Sequence, residues 1–176
     1  GNVNVGKYLG FLTFSWGFIS SVDIESECIR FLGSARFDVW AAVCIALKRS
    51  YRAEFSYLPP SASSSSAAPA PSDAKDPGED EEGWVTIEAD FISVWASQVR
   101  RAAHNALQSP ESRSDDGLFK VMVVRNPISR LDMARVVLGV EDGSHVLHPK
   151  SEMIDCVAFR LAPASATAAS SSSSSE

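Results

Sequence analysis

Two stretches of this 176-residue chain have no means of building an interior, and they set the size of what can fold. Residues 61–82 (SASSSSAAPAPSDAKDPGEDEE) and 163–176 (PASATAASSSSSSE) are Ser/Ala/Pro-rich or acidic and show no apolar period. Such segments bury too little surface to offset the entropy of ordering, so a disordered acidic insert and a disordered Ser-rich tail are expected. The remainder, 1–60 and 83–162, is expected to form two parts of one domain with a real core. The formal charge of −6 sits mostly in the insert, where Asp73, Asp76, Glu79, Asp80, Glu81 and Glu82 face only Lys75. The foldable part is therefore near neutral, which argues against a nucleic-acid partner, for which a basic face is required.

Cys28, Cys44 and Cys156 are odd in number, widely spaced and set in apolar surroundings, and are expected to be buried, reduced thiols of a cytoplasmic protein. No stretch reaches the roughly 18 apolar residues of a membrane span. The run FLTFSWGFI is too short and lacks a cleavage site. A start at Gly1 rather than Met, with low complexity at the other end, reads as an excised piece. GNVNVGKY places Gly1, Gly6 and Lys7 at the spacing of a phosphate-binding loop, but Tyr8 stands where a small hydroxyl must meet Mg²⁺, and no buried strand precedes it. This motif is set aside as a coincidence.

From Tyr8 to Ile19, Leu12, Phe14, Trp16 and Phe18 alternate with Phe11, Thr13, Ser15 and Gly17, which predicts a strand with one aromatic face. Ser20, Ser21 and Asp23 are cap residues for a helix carrying Ile24, Cys28 and Phe31 on one stripe until Gly33. Ser34 is expected to cap a second helix with Phe37, Trp40, Ala41, Cys44 and Leu47 inward. Strands are predicted at Tyr51–Tyr57, Trp84–Glu88, Phe91–Ala96, Leu118–Val124 and Cys156–Leu161. A helix over Ser129–Leu138 is marked by Ile128, Leu131, Ala134, Arg135 and Leu138. The fold class is α+β: a β-rich sandwich decorated by amphipathic helices.

Arg36 stands out, because a cation in the first turn of a helix opposes the macrodipole unless an anion lies between them. Helix amides with Arg30 and Arg36, six residues apart around Gly33, would make a seat suited to phosphate. Pairing of both arginines with Glu25 or Glu27 at the surface is the competing explanation. His145 and His148 have no Cys or further His nearby, and no metal site is expected.

The run S-W-G-F-I-x-x-V-D-I-E-S-E-x-x-R-x-L-G-x-x-R-F, from Ser15 to Phe37, resembles the start of the C-terminal lobe of sphingosine kinases, within the diacylglycerol-kinase-like lipid kinases. The resemblance continues through KRSYRAEFSYLPP, resumes with DFISV, DDGLFKVMVVRNPISR and GVEDGSH, and ends at VAFRLAP. It covers about 130 residues in the family's order, with low complexity where the family has a variable insert.

That resemblance implies that Asp23 and Thr13 hold the amino and hydroxyl head of a sphingoid base. Arg30, Arg36 and Glu27 match the family's ATP-phosphate site. Phe18, Ile19, Phe37, Met122, Val124, Met133, Val136, Val137, Val140 and His145 match the walls of the lipid slot. The implied activity is transfer of the γ-phosphate of ATP, with Mg²⁺, to the primary hydroxyl of a sphingoid base by a peripherally membrane-associated enzyme. A diacylglycerol or ceramide kinase relative, or a non-catalytic lipid-binding module, are the alternatives. Ser21 departs from the acid often found there. The Gly-rich nucleotide loop, the catalytic Asp and the strand bearing Asp-Gly-Glu have no match, so the chain alone is expected to be inactive.

Overall fold

The computed structural model describes residues 12–60, 83–113 and 115–164. The phosphate-loop-like Gly1–Tyr8, the insert 61–82 and most of the tail lie outside the described residues. Along the chain come β1 (Thr13–Gly17), α1 (Phe18–Glu25), a 3₁₀ helix (Ser26–Leu32), α2 (Ala35–Leu47), β2 (Tyr51–Leu58), β3 (Val85–Ser97), β4 (Phe119–Arg125), α3 (Arg130–Gly139), a second 3₁₀ helix (Ser144–Leu147), β5 (Ser151–Cys156) and β6 (Ala158–Pro163).

The α+β expectation holds, with one sheet in place of two. Its order is β5-β4-β3-β2-β6, with β1 on β3, and all five pairings are antiparallel. The two strands predicted at Trp84–Glu88 and Phe91–Ala96 are one, β3. Its first half pairs with β2, and its second half pairs with β1 along the same edge while β4 takes the other.

β5, which the sequence pattern did not reveal, runs into β6 through Val157 alone, and the Val157 amide bonds the Leu58 carbonyl at 2.9 Å. Residues 151–163 thus bridge β4 to β2 and fold the sheet over itself. Strands β4 and β6 would stand roughly 14 Å apart in a flat sheet. The rings of Phe119 and Phe159 are instead 5.4 Å apart, and Phe14 of β1 lies 5.6 Å from Phe159. The result is sandwich-like packing in which strands turn the corners. β6 also runs further than expected, through Pro163.

A β-bulge at Ile92 decides which side chains face where, because the register steps from Phe91↔Arg125 to Ser93↔Val124. Phe91, Val94 and Ala96 consequently join Ala53, Phe55, Val121, Val123, Ile154 and Cys156 inside the folded sheet. Ile92 and Trp95 join Met122 and Val124 on the opposite face, under the helices. Phe55 and Phe91 are fully buried, each contributing about 2–3 kcal/mol of apolar transfer.

The helices depart from expectation in informative ways. β1 ends at Gly17, whose φ of 79° and ψ of −126° suit glycine, and α1 begins at once, so Phe18 and Ile19 are helical and Asp23 is no cap. The chain then tightens into the 3₁₀ helix, leaving Ile24, Cys28 and Phe31 exposed rather than buried. α2 forms as predicted, without a side-chain cap from Ser34; Cys44 is buried, and Trp40 and Ala41 half-buried, but Phe37 and Leu47 are exposed. In α3 the Ser129 hydroxyl accepts the Asp132 amide at 3.0 Å, a proper N-cap. The same hydroxyl donates to the Asp132 carboxylate and, with Arg135, holds that group below its ordinary range. The buried face of α3 is Met133 and Val136, while Leu131 and Leu138 point to solvent.

Two outcomes follow from this packing. A Cβ at Gly17 would lie 2.4 Å from the Ile92 carbonyl, at a φ that side chains avoid. Gly17→Ala is therefore expected to cost about 3 kcal/mol and lower the melting temperature by roughly 10 °C; a shift under about 2 °C would show that the bulge gives way. Burial pushes the Cys44 thiol up and that of Cys156 up to about 12. Titration of the native chain with a disulfide reagent near pH 8 should modify Cys28 fast and the other two only on unfolding; three fast thiols would contradict this burial.

Candidate functional site

The helical face of the sheet and the inner sides of α1 and α3 meet around one apolar cavity. Its floor is Ile92, Ser93, Met122 and Val124; Phe18 and Ile19 come from α1, and Met133, Val136, Val137 and Val140 from α3 and its end. Eight of the ten residues expected to line a lipid slot are thereby gathered in one place. The sequence pattern missed Ile92 and Ser93, which reach this face together only because the bulge breaks strand alternation. The cavity holds about 20 Å³, room for about one water molecule. Pockets that hold ligands measure roughly 300 Å³ or more, so an aliphatic chain enters only if α1 and α3 part from the sheet.

Phe37 and His145 do not line it. Phe37 sits in the first turn of α2 with its ring under the Arg36 guanidinium, 4.5 Å from ring centre to carbon. His145 is buried with Nδ1 3.0 Å from the Gly139 carbonyl and Nε2 2.9 Å from the Gln108 carbonyl. Its ring braces the 98–113 connection against the end of α3. Among the described residues no three His, Cys, Asp or Glu side chains converge as a metal site.

Asp23 is the sixth of eight residues in α1, exposed, four positions beyond Ile19 and so one turn along the same face. Its carboxylate has no hydrogen bond or ion pair among the described residues, while its backbone carbonyl accepts the Ser26 hydroxyl at 3.2 Å. Thr13 lies at the far end of β1, opposite Ser97, about 13 Å of strand from the helix start, and no hydrogen bond links it to Asp23.

Arg30 and Arg36 do come together, and on one carboxylate. Arg30 Nε lies 3.1 Å from Glu27 Oε2, and Arg36 donates through Nη1 to Glu27 Oε1. Gly33, with φ 59° and ψ −132°, reverses the chain between the two arginines. Glu25 takes no part: it accepts from Arg49 at 2.7 Å and from the Trp40 indole at 3.2 Å, pinning α1 to α2. Each guanidinium has five N–H donors; Arg36 gives Glu27 one and Arg30 meets it as an ion pair, so both keep donors for a further anion.

No known family profile matches the chain. Among curated proteins it is 29% identical over 172 residues to sphingosine kinase 1 of Arabidopsis thaliana, covering 89% of this chain and 35% of that protein. It is 32% identical over 165 residues to sphingosine kinase 1 of Homo sapiens, covering 86% of this chain and 43% of that one. A solved chain from Bacillus anthracis str. Sterne, provisionally described as a diacylglycerol kinase, aligns at a TM-score of 0.48 and 10% identity, over 88% of this chain and 43% of that one, a likeness too slight to argue from. The chain is a homologue of the sphingosine kinases along almost nine-tenths of its own length, and spans 35–44% of the relatives it matches that way.

Proposed function

We propose that this chain is the lipid-receiving lobe of an ATP-dependent kinase acting on the primary hydroxyl of a sphingoid base. One observation carries the proposal: an apolar cavity whose α1 wall continues, one turn past Ile19, into the unpaired carboxylate of Asp23. An aliphatic chain would lie between α1, α3 and the sheet, and its ammonium would meet Asp23. A neutral diacylglycerol head offers that carboxylate a hydroxyl but no ammonium to pair with. Thr13 would assist only from β1. Arg30 and Arg36, with Glu27 between them, would face the nucleotide phosphates. ATP supplies the transferred phosphoryl group, and positioning and charge stabilisation dominate such transfers. Mg²⁺ would be held between the phosphates and a carboxylate or two, since no three His, Cys, Asp or Glu side chains converge among the described residues. The base and the nucleotide loop would come from the lobe that the relatives possess and this match does not span.

Membrane contact follows from α2. Beyond its first turn it carries no charged residue: Trp40, Ala41, Cys44 and Ile45 pack inward, while Val39, Val43 and Leu47 form an exposed stripe at i, i+4 and i+8. Phe31 and Leu32 on the preceding 3₁₀ helix are exposed as well. A helix apolar all round wants a second apolar partner, and a bilayer surface carrying the substrate provides one. No described helix is long and apolar enough to cross a membrane. The exposed stripe of α2 supports a reading in which the protein docks peripherally on a membrane.

Two measurements test this. Asp23→Asn keeps shape and removes charge. Because the group is exposed, the expected loss is about 1 kcal/mol, roughly fivefold in sphingosine affinity, with diacylglycerol binding and melting temperature unchanged. Equal affinity for sphingosine in both forms would remove the headgroup role. Val39→Glu with Val43→Glu should weaken sedimentation with phosphatidylcholine vesicles more than tenfold while leaving the fold intact, each valine being worth about 1.5 kcal/mol buried; unaltered sedimentation would place the membrane contact elsewhere.

A further inference from the structure

We propose that Glu27 is the resting occupant of the Arg30–Arg36 anion seat, an internal carboxylate with which incoming phosphate competes; this rests on the phosphate reading of that arginine pair. Both guanidiniums turn to Glu27 from different elements, Arg30 from the 3₁₀ helix and Arg36 from the first turn of α2. Glu25, the neighbouring acid, is committed to Arg49 and Trp40, and among the described residues neither Arg30 nor Arg36 pairs with any other carboxylate.

The three side chains differ in how firmly they are held. The Arg36 side chain is only 16% exposed and is anchored over the Phe37 ring, so it stays in place with or without Glu27. Arg30, 75% exposed, has Glu27 as its partner, and Glu27 itself is 45% exposed. The carboxylate is therefore the part that can swing to solvent when a stronger anion arrives, and the fixed guanidinium is the part that receives it.

Charge sets the consequence. With Glu27 the cluster carries one net positive charge, and without it two. A carboxylate held on both arginines repels a polyphosphate more than it repels a singly charged anion, so Glu27 sets the affinity of the seat downward and weights the penalty by ligand charge. A carboxylate that only oriented the arginines would do the opposite, and its loss would weaken every anion alike.

The test is calorimetric titration of the chain at low ionic strength with inorganic tripolyphosphate and, separately, orthophosphate, for wild type, Glu27→Gln, Arg36→Ala and the double variant. Glu27→Gln is expected to bind tripolyphosphate about three- to tenfold tighter, as a unit charge a few ångströms away implies in a partly solvated site. Its gain for orthophosphate should be smaller, and Arg36→Ala should abolish both. Weaker or equal tripolyphosphate binding by Glu27→Gln, with Arg36→Ala also weak, would overturn the competition and make Glu27 an orienting residue. Identical binding by all four forms would overturn it too, and with it the phosphate reading of the seat. Melting temperatures of the four proteins separate either result from misfolding.

Discussion

The backbone ladder along β3 is the constraint on which the other features depend. Thirteen residues long, β3 is hydrogen-bonded to β4 on one edge and to β2 and then β1 on the other. A strand paired so fully has no freedom to rotate, so its one irregularity, the bulge at Ile92, is transmitted whole. It turns Phe91 and Val94 into the closed interior and lifts Ile92 and Ser93 to the helices. The Ile92 carbonyl then lies where only a glycine can pass, which puts Gly17 at the junction and starts α1 there. The chemistry on α1 is in this sense positioned by strand geometry rather than by helix packing.

Much of this is written locally, and some is not. Ser129 followed by Asp132 marks the α3 cap directly, because a cap needs only near neighbours. The slot residues on α3 are legible only through the resemblance, since the apolar spacing alone points to Leu131 and Leu138. Periodicity shows that a helix has an apolar stripe without showing what lies against it. The exposed Ile24, Phe31, Val39 and Leu47 look the same in sequence as core residues, and only the structure separates them. Corners of the sheet were hidden for a related reason: at Ile92 and at Val157 the alternation breaks, so a continuous strand reads as two, or as one and a loop. The arginine seat was legible as residue types, with two acids open as partners. Which acid took which cation depended on Arg49, distant in sequence and brought back by α2.

The segment from Gly17 to Leu47 is unusual in how much it concentrates. It provides the cavity wall of Phe18 and Ile19, the free carboxylate of Asp23, the two arginines and the bare stripe of α2. It is tied to the rest by the apolar packing of Phe18, Ile19, Trp40 and Cys44, by the turn at Gly17, and by two polar contacts, Arg49 on Glu25 at 2.7 Å and Arg130 Nε on the Ala46 carbonyl at 3.0 Å. The sheet beneath carries most of the burial. Such a division leaves the chemically loaded helices cheaper to move than the scaffold that bears them, which suits a cavity that must widen to be filled.

The β2–β3 pairing keeps Tyr57 opposite Val85, so the ends of the 61–82 segment are held side by side whatever its length. Entropy of closure grows only logarithmically with loop size, and that junction is about 25 Å of strand away from the bulge at Ile92. A connection of different length can therefore be exchanged there at nearly constant stability and without disturbing the cavity. The β2–β3 pairing thus insulates the helical face of the sheet from whatever the intervening sequence becomes.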